Sequence, residues 1–293
     1  MQPFWQTTRF RIDLSRPRVM GIVNVTPDSF SDGGAFADAE SAIAHCRRLV
    51  AEGADILDIG GESTRPGAPS VSSAQELARV LPVIRAAITL GVPVSVDTSR
   101  AEVMQAALNE GADIVNDVRA LRVPGALAAV AAHPRAGICL MHMQGEPATM
   151  QAGPHYDDVL AEVAAFLAER QAIAEAAGIG ADRILFDPGY GFGKTLDHNL
   201  TLFRRQGELC ALGRPLLVGW SRKGTLGQVT GRPAGERMVP SVAAALAAVA
   251  HGARVVRVHD VADTVDALKV WNAAGLGSPP GCDNNEIQRR SDP

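Results

Sequence analysis

The stretch Glu52-Gly53-Ala54-Asp55-Ile56-Leu57-Asp58 returns almost unchanged as Glu110-Gly111-Ala112-Asp113-Ile114-Val115-Asn116. A third copy, His251-Gly252-Ala253-Arg254-Val255-Val256-Arg257, stands near the end of the chain. Each glycine can take the left-handed conformation that stops a helix, and the apolar residues just after it launch a strand. The three copies therefore mark three helix-to-strand junctions, and each new strand runs into a polar residue.

Working outward, five more apolar runs end in the same way, at Asn24, Asp97, His142, Asp187 and the triplet Ser221-Arg222-Lys223. The spacing predicts strands over 19–25, 55–59, 93–97, 113–117, 137–141, 183–187, 215–219 and 254–258. Helices are expected over 38–52, 73–90, 100–110, 124–132, 156–177, 197–212, 238–251 and 263–274. Eightfold alternation of strand and helix predicts an α/β fold, a parallel sheet closed into a single (β/α)8 TIM barrel over residues 1–276. Two long βα loops, Thr26 to Phe36 and Gly60 to Ser72, are rich in Gly, Ser, Pro and Asp and read as lids. Residues 277–293 carry Pro, Asn, Asp and Arg with little apolar content, and a disordered tail is expected there.

Composition narrows the function. A chain of 293 residues with 46% hydrophobic content suits one barrel of about 250 residues with short extensions. A net charge of −4 disfavours nucleic acid as the main partner, since phosphate binding usually shows as a basic excess. The longest apolar run, Val242 to Ala250, is too short for the ~20 residues that span a bilayer, so no membrane role is expected. Met1 to Asp13 lacks the apolar core of a secretory signal, which points to the cytoplasm. Cys46, Cys139, Cys210 and Cys282 are scattered, suggesting neither a zinc site nor a disulfide framework.

In such barrels the C-terminal strand ends form the active site, so the run-ending residues are the candidates for chemistry. Asp97, Asn116 and Asp187 end strands three, four and six. Any one of them alone could be a cap or a core partner, but three together suit a flat heterocycle with an amidine-like pair of donors, which an ionised carboxylate accepts in parallel. Asn24 ends the first strand, where its carbonyl oxygen can serve Mg²⁺, a hard cation that completes its shell with water and phosphate oxygens.

The loop Gly60-Gly61-Glu62-Ser63-Thr64-Arg65-Pro66-Gly67 offers glycines, hydroxyls and an arginine to an anion, or else is a capped, solvated loop. Gly189-Tyr190-Gly191-Phe192-Gly193-Lys194-Thr195 lacks the phosphate-loop spacing and instead presents Phe192 as a stacking ring. Ser221-Arg222-Lys223, and Arg257 with His259 on one strand face, lie where barrels commonly bind phosphate.

Together, V-M-G-I-V-N-V-T-P-D-S-F-S-D-G-G, D-I-G-G-E-S-T-R-P-G, S-V-D-T-S, N-D-V, L-M-H-M-Q-G, F-D-P-G-Y-G-F-G-K, G-W-S-R-K and R-V-H-D closely resemble the dihydropteroate synthase family, from about Val19 to Trp271. The resemblance implies a cytoplasmic, homodimeric transferase of folate biosynthesis, the target of sulfonamides. Such an enzyme joins para-aminobenzoate to 6-hydroxymethyl-7,8-dihydropterin diphosphate with Mg²⁺ as cofactor. By motif it assigns Mg²⁺ to Asn24 and the pterin to Asp97, Asn116, Met141, Asp187, Gly219 and Lys223. It assigns the diphosphate to Asn24, Thr64, Arg65, Arg257 and His259, and the aminobenzoate edge to Thr64, Pro66, Phe192, Ser221 and Lys223. Asp97, Asp187, Lys223, Arg257 and His259 would carry the chemistry.

Trp220 stands where the family pattern has methionine, and Gly224 where a larger residue is common; both are expected to flank the aminobenzoate edge and to alter sulfonamide sensitivity. A methyltetrahydrofolate corrinoid methyltransferase shares the barrel but needs no diphosphate site, so Ser63-Thr64-Arg65 and Ser221-Arg222-Lys223 argue against it. A non-catalytic pterin-binding paralogue is disfavoured because every motif position is filled.

Overall fold

The computed structural model describes residues 4–26, 34–63, 71–147 and 149–276. Among the described residues eight parallel strands close into a barrel. They are β3 (Arg18–Asn24), β4 (Ile56–Gly60), β5 (Val94–Asp97), β6 (Ile114–Asp117), β7 (Gly137–Met141), β8 (Ile184–Asp187), β9 (Leu216–Val218) and β10 (Ala253–Val258), with β10 returning to pair with β3. The single (β/α)8 barrel expected from the alternation is therefore the observed fold. The glycines of the repeated stretch behave as that reading requires: Gly53, Gly111 and Gly252 have φ of 99°, 100° and 92°.

The helices α1 (Gly34–Ala51), α2 (Ser73–Ala87), α3 (Ala101–Asn109), α4 (Ala126–Ala131), α5 (Val159–Ala176), α6 (Leu196–Arg204), α7 (Gly224–Thr230), α8 (Met238–Ala250) and α9 (Val261–Ala273) alternate with the strands. Strand side chains alternate between two apolar surfaces. Val23, Leu57, Val96, Val115, Leu140, Phe186, Val218 and Val256 belong to the large outer core shared with the helices. Met20, Ile56, Ile114, Cys139, Leu185, Leu217 and Val255 fill the barrel's interior.

Three features depart from the sequence reading. A short hairpin, β1 (Phe4–Gln6) with β2 (Arg11–Asp13), precedes the barrel. It carries Trp5 into the inner core, where the indole Nε1 donates to the Arg183 carbonyl at 2.9 Å. The helix expected over 197–212 is instead α6 followed by a 3-10 helix, Gln206–Leu212. Gln206 is buried at that break, donating to the carbonyls of Ala248 and His251 and accepting from the Tyr190 hydroxyl, so its backbone follows those bonds rather than one continuous helix. Helix α7, immediately after Lys223, was not expected at all.

Thr64, Arg65 and Pro66 lie outside the described residues, as do 27–33 and 64–70 of the two long loops and the tail 277–293.

Candidate active site

The site follows from the pleat. Two residues beyond Ile56, Ile114, Cys139, Leu185, Leu217 and Val255, on the same face of each strand, stand Asp58, Asn116, Met141, Asp187, Gly219 and Arg257, with Asp97 two beyond the buried Ser95. Strand register holds several of these at matching height: Asp97 is opposite Asn116, and Met141 opposite Asp187. The ring of acids, amide and base is thus the layer of the barrel interior next above its apolar plug.

Within that layer Arg257 bridges two carboxylates. Its Nε donates to Asp58 Oδ2 at 2.6 Å and its Nη2 to Asp97 Oδ2 at 2.7 Å. Asn116 Nδ2 donates to the same Asp58 oxygen at 3.1 Å. Asp58 is fully buried and its Oδ1 has no hydrogen-bond partner among the described residues. Asp58 was visible as a run-ending acid but was not assigned a role; its place in the inward alternation, two residues after Ile56, was the signal. Asp97 keeps 18% exposure, open toward the mouth. Burial pushes its carboxyl up to about 7, with the Arg257 guanidinium pulling the other way.

Across the mouth, burial raises the Asp187 carboxyl while Lys223 and the Gly189 N–H, 2.7 Å from Asp187 Oδ1, pull it back. Burial lowers the Lys223 ammonium to about 8 against the attraction of Asp187. Lys223 Nζ donates to the Tyr190 carbonyl and lies 4.5 Å from the centre of the Phe192 ring. Lys223, Asp187 and Phe192 therefore form one wall. Met141 packs with Val118, Met143 and Met150 in a small apolar cluster that Phe192 joins, giving the wall a flat, polarisable surface.

The phosphate-side candidates are joined by hydrogen bonds. Ser221 Oγ accepts from the His259 backbone N–H at 3.1 Å and sits 2.9 Å from His259 Nδ1. Arg222 between them points elsewhere: with φ of 59° its guanidinium engages Asp260, at 2.5 Å from Nη2 to Oδ1. Of the triplet, Ser221 and Lys223 face the site and Arg222 braces the start of α9. Glu62 and Val71, which flank the undescribed 64–70, are tied together by Arg100: its Nη2 donates to Glu62 Oε1 at 3.0 Å and to the Val71 carbonyl at 2.5 Å.

Trp220 corrects an expectation. It follows Leu216 and Val218 in the outward alternation, is buried, and stacks on Tyr190 at 4.4 Å between ring centroids. It does not line the mouth. Gly224, the first residue of α7, is exposed with open space around its Cα.

Asn24 ends β3 opposite Gly60, half-buried at the mouth. Among the described residues no cluster of three His, Cys, Asp or Glu side chains forms a closed metal cage. A single amide oxygen at the mouth fits a hard cation that arrives with phosphate oxygens and keeps its waters.

A family model described as "Pterin binding enzyme" matches residues 20–259. A dihydropteroate synthase of Neisseria meningitidis serogroup B is 56% identical over 278 residues, covering 93% of this chain and 98% of that one. The structure of Xanthomonas albilineans dihydropteroate synthase with 4-aminobenzoic acid superposes with a TM-score of 0.88 at 53% identity, over 94% of this chain and 99% of that one. The same organism's enzyme in complex with 7,8-dihydropteroate matches with a TM-score of 0.83 at 52% identity, over 90% and 96% of the two chains. With the carboxylates, amide and paired bases already in place at the barrel mouth, these matches establish that the chain belongs to the dihydropteroate synthases, a family of pterin-binding transferases.

Proposed function

We propose that the barrel mouth of this chain condenses 6-hydroxymethyl-7,8-dihydropterin diphosphate with para-aminobenzoate, giving 7,8-dihydropteroate and diphosphate. The observation that carries this reading is the inward layer of Asp58, Asp97, Asn116, Asp187 and Arg257, with Lys223 beside it. Asp97 and Asp187, ionised, accept the pterin's N–H donors; Asn116 supplies an amide; Met141 and the open Gly219 leave a flat slot for the ring. Lys223 donates to the heterocycle from beside Asp187.

In the reaction the C–O bond from the pterin methylene to diphosphate breaks, the arylamine nitrogen lends its lone pair to that carbon, and the ammonium proton formed passes to solvent. Positive charge on the methylene is shared by the electron-rich pterin, and the carboxylates of Asp97 and Asp187 oppose it. Arg257 and His259 take the departing negative charge, His259 held in place by Ser221. Thr64 and Arg65 are assigned to the same anion, and Thr64 and Pro66 to the aminobenzoate. When bound, Mg²⁺ held by Asn24 would supply charge neutralisation on the diphosphate. Phe192, Ser221 and Lys223 border the aminobenzoate.

The same reading makes residues 1–276 the catalytic unit, places the enzyme in the cytoplasm, and makes it a homodimer. The exposed Val229, Met238, Val239 and Val270 on α7, α8 and α9 supply an apolar surface for a second copy. Among the described residues no helix is long and apolar enough to cross a membrane.

The test is product formation with Mg²⁺, the pterin diphosphate and para-aminobenzoate, following dihydropteroate and diphosphate together. Equal amounts of the two are expected. Diphosphate release without dihydropteroate would refute the condensation.

A further inference from the structure

Lys194 closes the glycine-rich loop after β8, and its side chain is 2% exposed. Its ammonium donates to the Gly189 carbonyl at 3.0 Å and to the Phe192 carbonyl at 3.1 Å. It also meets His142 Nδ1 at 2.9 Å and lies 3.5 Å from the His142 carbonyl. All four partners are neutral. Burial and the adjacent Lys194 hold the imidazole of His142 down at about 2, so Nδ1 is free to accept. Burial lowers the Lys194 ammonium to about 7 against the attraction of Asp187, and its donors are all taken up, two of them by backbone carbonyls of the loop.

The two carbonyls that Lys194 holds bracket Tyr190, Gly191 and Phe192. The segment between them is already confined from outside. A side chain at Gly189 would overlap the His142 carbonyl, and one at Gly193 the Gln144 carbonyl, so the loop lies directly on the backbone that follows β7. Gln151 Nε2 donates to the Gly191 carbonyl at 2.8 Å, and the Tyr156 hydroxyl to the Gly193 carbonyl at 2.8 Å. What the segment presents toward the barrel mouth is the Tyr190 carbonyl, which accepts from Lys223, and the Phe192 ring, 4.5 Å from the same ammonium. The carbonyl of Phe192 is on Lys194 while its ring is beside Lys223, so the two lysines meet one residue at its backbone and at its ring.

We propose that Lys194 is a positioning residue for arylamine capture, pinning the 189–193 backbone so that Phe192 and Lys223 stand as one wall of the aminobenzoate pocket. The proposal rests on the reading that Phe192 and Lys223 border that substrate. Lys194 touches no reacting atom. Lys194 reaches the pterin's side of the mouth only through the loop's contacts with Asp187 and Lys223, while Asp97, Asn116, Arg257 and Asp58 hold one another without it.

The test is steady-state kinetics with each substrate varied in turn for Lys194→Met, Lys194→Gln and Phe192→Ala, with melting temperatures recorded. Loss of one or two hydrogen bonds to the loop is expected to raise KM for aminobenzoate about tenfold in Lys194→Met and KM for the pterin diphosphate by about threefold or less, because the pterin keeps Asp97, Asn116 and Arg257. Lys194→Gln, which keeps two amide donors, should fall between wild type and Met. It carries the comparison if the Met variant does not fold. A lowered melting temperature with both KM values unchanged, or both raised to the same degree, would overturn the proposal by making Lys194 merely structural. Raised KM for aminobenzoate in Phe192→Ala but not in either Lys194 variant would overturn it alone. An unchanged value in Phe192→Ala would instead remove the aminobenzoate assignment on which it stands.

Discussion

Asp58 accepts from Arg257 and Asn116 through a single oxygen, and so orients two of the groups proposed to serve the substrate. An amide in its place keeps the shape but removes the charge that holds the guanidinium. Asp58→Asn is therefore expected to lower kcat/KM for the pterin diphosphate about 10- to 100-fold, the loss of a charged hydrogen bond in a buried place. A value within twofold of wild type in steady-state assays would deny Asp58 that role. The pH dependence has its sign from the same mouth. Asp97, raised to about 7 by burial, carries its charge only above that value, and Lys223, lowered to about 8, only below that one. Free-enzyme pKa values govern kcat/KM, so it should peak between about 7 and about 8 and fall on both sides. Asp97→Asn should remove the fall on the acid side; an acid limb that survives would assign it to another group.

At the scale of elements, the loop after β8 depends on conformations that side chains resist. Gly189 has φ of 69° and lies against the His142 carbonyl. Gly189→Ala is expected to cost about 2–3 kcal/mol from strain and overlap together, read from urea unfolding. A cost below about 0.5 kcal/mol would show that the loop can move away without penalty.

The eight barrel strands were legible because each apolar run ends in a polar residue and three of them follow a helix-stopping glycine; the structure places them within a residue or two. The floor of the site was legible through strand parity, which puts Asp97, Asn116, Asp187 and Arg257 on the inward face. Parity also places Trp220 outward with Val218, a consequence of the sequence that the motif comparison passed over. Lys194 was not legible: a lysine ending a glycine-rich loop reads like a solvated one until the chain after β7 packs over it. The hairpin of Phe4–Gln6 with Arg11–Asp13 escaped because three-residue strands are too short to show alternation.

At the scale of the whole molecule, the barrel separates an apolar plug from the mouth to which the chemistry is assigned. Trp5, fully buried in the same inner core as Met20 and Ile56, closes that core from the end opposite the site. Trp5→Ala is expected to cost about 3–5 kcal/mol of stability, seen as a lower melting temperature, while KM values at a permissive temperature stay near wild type. Altered KM values in the folded variant would mean that plug and mouth are not separate. The inward layer above that plug is the central claim, and calorimetric titration of the pterin diphosphate with Mg²⁺ into wild type, Asn116→Ala and Asp187→Asn tests it most directly. Each variant is expected to lose about tenfold or more in affinity, the effect of one or two hydrogen bonds in a buried slot. Wild-type affinity in both variants would contradict the account and move the pterin out of the barrel mouth.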